Sequence, residues 1–224
     1  MLNEELFCYN KYFLPTKHFE ESVFLYRHGL DFVRDLSRIK NKAILDIGGF
    51  IGDSILILSE LTDDKVYSFE ATSQNYALML KTIELNGIQN AVPVHSAVGS
   101  ESGTLEIRFN GSASSVDEIM VKNPDHIETC NVIRIDDYVE EHGINVGLIK
   151  VDIEGAEQDF LKGALGTIRK YKPVLLLSIY HNVSDFLDIK PLIEDLELGY
   201  TFDVFKPVNG SVSGETLLIC QTAD

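Results

Sequence analysis

Residues 43–58 read AILDIGGFIGDSILIL, and this stretch gives the strongest indication of the fold. The apolar run 43–47 ends at glycines and predicts a buried strand, and residues 54–61 predict the helix that follows it. Glycines between a strand and a helix allow a tight turn and let a ligand lie against bare backbone. The first N–H groups of the helix point toward that ligand. The stretch therefore predicts a strand, turn and helix of the kind that binds nucleotides.

The same alternation of strands and helices continues along the chain. Further strands are predicted at 66–69, 91–94, 104–109, 132–135, 147–151, 174–179, 201–205 and 215–220, and further helices at 73–85, 136–142, 156–165 and 184–196. Apolar strands that alternate with helices are typical of βαβ units and a parallel sheet. We therefore predict an α/β fold of the Rossmann-like type for residues 41–224.

Residues 1–40 differ from the rest of the chain because they are rich in aromatic side chains. Their apolar positions from Glu20 to Ile39 follow a loose helical spacing, which Gly29 interrupts. We predict an N-terminal helical extension that packs over the ligand edge of the sheet or forms a contact in a homo-oligomer. Its aromatic side chains would line the acceptor site or belong to the core.

The composition limits the class of protein. With 224 residues, 45% of them hydrophobic and 24% charged, the chain suits one α/β domain with a few additions. A net charge of -16 opposes binding to nucleic acid or to an anionic membrane and favours a neutral or cationic small molecule. Cys8, Cys130 and Cys220 lie far apart and predict neither a disulfide framework nor a zinc site. The acidic first residues and the lack of an apolar run of roughly 20 residues predict a cytoplasmic protein without a membrane span.

A carboxylate stands at the end of the second predicted strand. Glu70 closes this strand, at a position where a carboxylate can accept the hydrogen bonds of a ribose diol. Alone, the glycines would only make a turn and Glu70 would be a solvated strand end, but together they favour a nucleotide. The NAD pattern G-x-G-x-x-G would require a glycine at position 47, which is Ile47. Asp46 and Gly48 instead give D-x-G, which resembles the pattern of methyltransferases that bind S-adenosylmethionine (SAM).

A second motif indicates the family. Residues 148–157 read LIKVDIEGAE and resemble the signature I-K-x-D-x-E-G-A-E of the FkbM family of SAM-dependent methyltransferases. Residues 46–54 and 69–71 stand where that family has its first two motifs, and SIYH at 178–181 resembles a late motif of one branch. The resemblance covers about residues 42–220. Phe50 and Ser178 replace the Asn and Glu that many members carry there.

The resemblance implies a fold, a cofactor and a reaction. The expected fold is that of class I methyltransferases, a mostly parallel seven-stranded sheet with a C-terminal antiparallel hairpin. The expected cofactor is SAM, and the expected reaction is methyl transfer to oxygen, mostly on sugars and on polyketides or related natural products. The predicted cofactor-binding residues follow the strand ends and are Asp46, Gly48, Gly49, Phe50, Gly52, Asp53, Ser54, Glu70, Ala71, Asn75, Ser96, Ala97 and Asp152.

The predicted catalytic residues lie near the FkbM-like signature and its late motif. His181 is the preferred base, because a hydroxyl loses its proton as it attacks and His181 follows a strand at the ligand edge. Asp152 would face the SAM amino group or the acceptor, and Glu154 is a further candidate. Glu157 is interpreted as mainly structural, since the first turn of a helix favours carboxylates.

No metal site is predicted, and Mg²⁺ held by Asp152 and Glu154 against a substrate diol is the second-ranked interpretation of these two residues. Residues 111–115 are a plain solvated loop or a mobile lid.

The leading hypothesis is an O-methyltransferase that acts on a sugar hydroxyl in polysaccharide or glycolipid biosynthesis. The alternatives are methylation of a small secondary metabolite and a SAM-binding module without catalysis, which the differences at Phe50 and Ser178 suggest. An NAD-dependent enzyme is a remote third hypothesis.

Overall fold

The computed structural model describes residues 6–110, 113–115, 126–208, 210–211 and 214–223. In chain order the strands are β1 (Phe7–Tyr9), β2 (Tyr12–Leu14), β3 (Ala43–Ile47), β4 (Val66–Glu70), β5 (Ala91–His95), β6 (Ala97–Gly99), β7 (Gly103–Asn110), β8 (Ala113–Ser115), β9 (His126–Arg134), β10 (Val146–Val151), β11 (Val174–Ser178), β12 (Tyr200–Phe205) and β13 (Leu217–Thr222). The α-helices are α1 (Glu21–Phe24), α2 (Asp53–Leu58), α3 (Ser73–Asn86), α4 (Ile135–Glu141), α5 (Glu157–Tyr171) and α6 (Val183–Glu194).

The central sheet confirms the predicted α/β fold with a mostly parallel sheet. Over the described residues it has seven strands in the order β12-β13-β11-β10-β3-β4-β5. The strands from β11 to β5 run parallel, whereas β13 is antiparallel to both β11 and β12. The strand order reverses between β3 and β10, and ligands of such sheets bind at the carboxyl ends of the strands beside this reversal. The fold thus places the candidate site at the ends of β3 and β10.

Two apolar clusters cover the two faces of this sheet. Helices α4, α5 and α6 pack on one face through residues such as Val139, Phe160 and Ile189. The N-terminal segment and α2 cover the other face. Because both faces are buried, β3, β10 and β11 consist almost wholly of buried apolar residues, as is usual for parallel sheets. This explains why continuous apolar runs in the sequence predicted these strands well.

The helical spacing from Glu20 to Ile39, which Gly29 interrupts, corresponds to short helices in the N-terminal segment and not to one long helix. The segment begins with the hairpin of β1 and β2, continues through the one-turn helix α1, and ends in two 3-10 helices at Arg27–Phe32 and Leu36–Ile39. His28 and Gly29 adopt left-handed backbone angles, with φ of 49° and 73°, which a continuous α-helix does not allow. The apolar residues of the segment nevertheless pack into the core, so their helical spacing reflected burial along a kinked path.

A second sheet was not predicted as a unit. Over the described residues it has four strands in the order β6-β9-β7-β8. The sequence indicated the strands at 104–109 and 132–135, but their antiparallel pairing joins residues far apart in the chain. Of the predicted lid at 111–115, positions 111–112 lie outside the described residues, and 113–115 form β8 against β7. Within the described ranges, no helix combines the length and apolar character needed to cross a membrane.

Stability at acidic pH tests how the N-terminal segment is packed. His28 is buried, its Nε2 has no hydrogen-bond partner among the described residues, and burial and the charge of Lys150 lower its pKa to about 3. The unfolded chain therefore takes up a proton near pH 6.5 that the folded protein refuses, so lowering the pH from about 6.5 to about 3 costs stability. We expect this loss to be smaller in His28→Asn, since asparagine tolerates the left-handed conformation.

The measurement is urea unfolding of both proteins at pH values between 7.5 and 4. The difference in free energy of unfolding should change by up to about 1.4 kcal/mol per pH unit below pH 6.5. If the free energies of unfolding of the two proteins change equally with pH over this range, the burial of a neutral His28 is contradicted.

Candidate functional site

A buried ion pair joins the two strands at which the sheet reverses. Asp46 on β3 and Lys150 on β10 are direct neighbours in the parallel register, and Lys150 Nζ lies 3.3 Å from Asp46 Oδ1. The same ammonium donates a hydrogen bond to the carbonyl of Gly48 at 2.8 Å. Asp46 Oδ2 accepts hydrogen bonds from the hydroxyls of Ser54 and Ser68, each at 2.7 Å. Asp46 therefore lies beneath the glycine turn and fixes it from below.

The ion pair remains charged although it is buried. Burial opposes the charge of Lys150, but Asp46, Asp152 and Asp53 outweigh this and raise its pKa above the ordinary value. The sequence prediction did not assign a role to Lys150. A lysine within the apolar run of β10 is a signal that could have identified it, because buried lysines are rare unless they are paired.

The glycine turn is held between β4 and β10. The N–H groups of Gly48 and Gly49 both donate to the carbonyl of Phe69, at 3.1 and 2.9 Å. A Cβ atom at Gly48 would lie only 1.8 Å from the carbonyl oxygen of Asp152, and Gly48 has a φ of +80°. Both the close approach and the left-handed conformation exclude a larger side chain there. The turn therefore presents bare backbone at the carboxyl edge of the sheet.

Glu70 closes the cofactor side of the site. Its Oε2 accepts the N–H of Phe50 at 3.0 Å, and its Oε1 accepts the N–H and hydroxyl of Thr72 at 2.9 and 2.7 Å. Asn75 Nδ2 lies 3.5 Å from the same Oε1. Burial raises the pKa of Glu70, while these donors oppose the rise. The predicted trio of Phe50, Glu70 and Asn75 is thus brought together, next to Ala71.

Other predicted cofactor residues support the turn from inside. The hydroxyl of Ser54 is bonded to Asp46, and the hydroxyl of Ser96 faces the carbonyls of Ala97 and Asn131 at 2.9 and 2.8 Å. Asp53 is buried at the start of α2, and burial raises its pKa to about 7 although Lys150 opposes this. These side chains are engaged with the protein, so contacts from Ser96 to a ligand would come from its backbone.

The predicted catalytic residues converge at the ends of β10 and β11. His181 Nε2 lies 3.4 Å from Asp152 Oδ1 and 3.7 Å from Glu154 Oε2. On the other side of the ring, His181 Nδ1 lies 2.8 Å from Glu157 Oε1, and Glu157 is wholly buried. The side chain of Glu154 is 75% exposed, whereas that of His181 is 9% exposed. Glu157 thus positions the imidazole, and Asp152 and Glu154 face the solvent side of it.

The carboxylates change the protonation of this group. Burial opposes the charge of His181, but Glu157, Asp152 and Glu154 raise its pKa to about 9. In turn, the hydrogen bond and charge of His181 lower the pKa of Glu157, although burial favours the neutral acid. Near neutral pH His181 therefore carries protons on both nitrogens. It can act as the predicted base only after it loses the Nε2 proton.

Acidic residues from distant segments complete the rim. A cavity of about 460 Å³ is lined by residues 17–22 of the N-terminal segment together with Val208 and Glu215. Burial is the main cause that raises the pKa of both Tyr180 and Glu154. Glu215 adds to the rise at Tyr180, and Glu20 adds a smaller part to the rise at Glu154, so both acids act on the site electrostatically. His18 contacts the ring of Phe50 at a centroid distance of 5.0 Å. The N-terminal segment therefore reaches the ligand edge, and no local motif predicted these contributions.

The strand order, the glycine turn and the acid at the end of β4 together define a class I methyltransferase. The chain belongs to the FkbM methyltransferase family, because the sequence model of the methyltransferase FkbM domain matches residues 46–202, more than half of its length. Its cofactor is accordingly SAM.

Solved structures share this fold at low sequence identity. A methyltransferase FkbM from Methylobacillus flagellatus KT has a TM-score of 0.64 and 21% identity, covering 91% of this chain and 48% of its own. This chain thus spans about half the length of that protein. An rRNA methylase from Streptococcus thermophilus has a TM-score of 0.52 and 13% identity, covering 92% of this chain and 99% of its own. TYW2 from M. jannaschii, solved with AdoMet, has a TM-score of 0.50 and 11% identity, covering 98% and 86%. No curated protein matches the chain.

Removing the buried cation tests the role of the ion pair. Lys150→Met leaves Asp46 buried without its counter-charge, so we expect the free energy of unfolding to fall by about 3–5 kcal/mol. The double variant Lys150→Met with Asp46→Asn removes both charges and should recover a large part of this loss.

Denaturant unfolding of the parent, both single variants and the double variant gives the coupling between the two residues. If the effects of the single substitutions simply add, Asp46 and Lys150 do not stabilise each other.

Proposed function

We propose that this protein is a SAM-dependent O-methyltransferase that methylates a hydroxyl of a sugar in polysaccharide or glycolipid biosynthesis. The observation that carries the proposal is the meeting of two half-sites at one sheet edge. The turn after β3 and Glu70 form one half, and Asp152, Glu154 and His181 form the other. Gly48 packs against the carbonyl of Asp152, so the two halves are in direct contact.

The residues of the first half fit SAM by their chemistry. A carboxylate at the end of β4 suits a ribose diol, and the glycine turn places backbone without side chains beside it. We assign the ribose to Glu70 and Asn75, and the methionyl end to the turn of Gly48, Gly49, Phe50 and Gly52, which Asp46, Asp53 and Ser54 support. Ala71, Ser96 and Ala97 would surround the adenine. When bound, SAM supplies a methyl group on a sulfonium, which oxygen nucleophiles attack.

The second half suits an acceptor hydroxyl. Such an acceptor must be aligned and must lose a proton as it reacts. Asp152 and Glu154 place two carboxylates within 3.7 Å of the imidazole of His181 at a partly exposed edge, where the three groups would hold the hydroxyl and take its proton. The acidic rim with Glu20 and Glu215 repels phosphorylated acceptors and admits neutral sugars.

A small secondary metabolite is the alternative acceptor, and the 460 Å³ cavity would suit it as well. The hypothesis of a module without catalysis has less support. Phe50 keeps its backbone bond to Glu70, and Ser178 hydrogen-bonds with Asp152 and opposes the rise in its pKa. Both altered positions therefore still serve the site.

Binding of SAM tests the first half-site. Glu70→Ala removes a charged hydrogen-bond acceptor, which should weaken binding by about 1.5–3 kcal/mol, or roughly 10- to 150-fold in Kd. Glu84→Ala is the matched control, because Glu84 is exposed on the neighbouring helix α3.

The measurement is calorimetric titration of the parent and both variants, with thermal unfolding as a check that each is folded. Equal SAM affinity in Glu70→Ala and Glu84→Ala would remove Glu70 from the cofactor site. No binding to the parent would contradict the proposed function itself.

Methyl transfer tests the second half-site. His181→Ala should keep SAM affinity but lose at least about 100-fold in rate, the usual contribution of a positioned acid or base. His142→Ala is the control, since His142 is exposed at the end of α4.

The assay measures S-adenosylhomocysteine formation with a panel of neutral sugars and methyl glycosides. Unchanged transfer by His181→Ala would remove this residue from its role. Transfer to none of the sugars, with SAM bound, would exclude the sugar acceptor.

A further inference from the structure

The imidazole of His181 is held in an orientation that metal ligands commonly have. Its Nδ1 faces the buried Oε1 of Glu157 at 2.8 Å, which leaves Nε2 directed at Asp152 and Glu154. Histidines that bind metals usually donate their other N–H to a carboxylate, which fixes the ring and its tautomer. Glu157 provides such a carboxylate here, from the first turn of α5. From this geometry we propose that His181 Nε2, Asp152 and Glu154 bind one divalent metal ion.

The distances from the imidazole nitrogen to the two carboxylates fit a single ion. Two ligands that each lie about 2.1 Å from a metal at a tetrahedral angle are about 3.4 Å apart. Nε2 of His181 is 3.4 Å from Asp152 Oδ1 and 3.7 Å from Glu154 Oε2. Side-chain atoms of Asp152, Glu157 and His181 that can bind metal all lie within 4.8 Å of one another. Glu154 is outside that cluster, so its exposed side chain must turn toward the ion to complete the ligand set.

A buried and unpaired oxygen in the same cluster is a second, independent observation. Oε2 of Glu157 is buried without a hydrogen-bond partner among the described residues. A carboxylate at 0% exposure with one unsatisfied oxygen is costly, unless nearby positive charge compensates it. A divalent ion beyond the imidazole would supply such charge, in addition to Lys150, which faces Asp46 on the other side of the site.

The ligand set selects the kind of metal. One imidazole nitrogen with two carboxylates suits Mn²⁺, Fe²⁺, Co²⁺ or Zn²⁺ better than Ca²⁺ or Mg²⁺, which prefer oxygen ligands throughout. Glu154 is 75% exposed, so the remaining coordination positions would face solvent. The site is thus of the open type, which leaves places for substrate oxygens.

This arrangement specifies the acceptor more closely, and this step rests on the proposed function. With three protein ligands, an ion that expands to five-coordination has two open positions, which suit two neighbouring oxygens such as the vicinal hydroxyls of a sugar. Coordination lowers the pKa of the hydroxyl and lets its proton pass to solvent water. His181 then acts as a ligand, which agrees with its close contacts to three carboxylates.

Metal binding can be measured without SAM and without any acceptor. The full-length chain is freed of metals with EDTA and titrated with Mn²⁺ alone, with free Mn²⁺ followed by electron paramagnetic resonance. We expect one tight site per chain, and pulsed measurements should show coupling to an imidazole nitrogen. Because the assay contains no SAM, its result is independent of methyl transfer.

Three variants and a control decide the ligand assignment. His181→Ala and Asp152→Asn should abolish the tight site and the nitrogen coupling, while His142→Ala should keep both. Glu157→Gln should weaken binding about 10- to 100-fold, as is usual for a carboxylate behind a metal-binding histidine. Circular dichroism verifies that each variant is folded. If Glu157→Gln does not fold, the ligand assignment is decided by Asp152→Asn instead.

Two outcomes would overturn the inference. One is the absence of a tight site in the parent, and the other is Mn²⁺ binding that His181→Ala leaves unchanged, which would indicate acidic surface groups only. A metal site in a protein that fails to bind SAM would contradict the proposed function and leave the metal site standing.

Discussion

The ion pair of Asp46 and Lys150 is the interaction on which the candidate site depends. It lies where the strand order of the sheet reverses, and it connects the two strands whose ends carry the two half-sites. Burying two charges is costly, and such pairs persist when the remaining hydrogen bonds are also satisfied. Here two serine hydroxyls bond Oδ2 of Asp46 and the carbonyl of Gly48 accepts from Lys150, while Oδ1 of Asp46 has only the ion pair with Lys150. The pair thus secures a turn that apolar packing alone would leave less specified.

The two half-sites differ in how their polar groups are used. On the cofactor side, Glu70 and Ser96 are bonded mainly to backbone groups, which makes the binding surface rigid before a ligand arrives. On the acceptor side, Asp152 and Glu154 both lie near Nε2 of His181, at longer distances and with greater exposure. A rigid cofactor half beside a more open acceptor half is consistent with one fixed cofactor and acceptors that differ among relatives.

The sequence predicted most of the central sheet, because strands buried on both faces are continuous apolar runs that end at glycines or acids. It indicated an interruption at Gly29 but not the left-handed backbone of His28, since the helical spacing of the neighbouring apolar residues is compatible with burial along a broken path. The second sheet was also not predicted as a unit, because the pairing of β7 with β9 joins residues far apart in the sequence and leaves little local pattern.

The same reasoning applies to the candidate site. Local motifs placed Glu70, Asp152 and His181 at the correct edge, since strand ends in parallel sheets meet there. They could not reveal that Glu157 would hold the imidazole or that Glu20 would approach from the N-terminal segment. Those contacts depend on how the elements pack and not on neighbours in sequence. The raised pKa of His181 follows from Glu157, Asp152 and Glu154 together, although burial opposes it.

The N-terminal segment has a consequence for how this protein can change over evolutionary time. Its first part lines the cavity beside the site, and its second part, through Leu30, Val33 and Ile39, covers one face of the sheet. A lineage that exchanges this segment to gain a new acceptor would also exchange part of its hydrophobic core. Substitutions in this segment would therefore change the cavity and the stability of the fold at the same time.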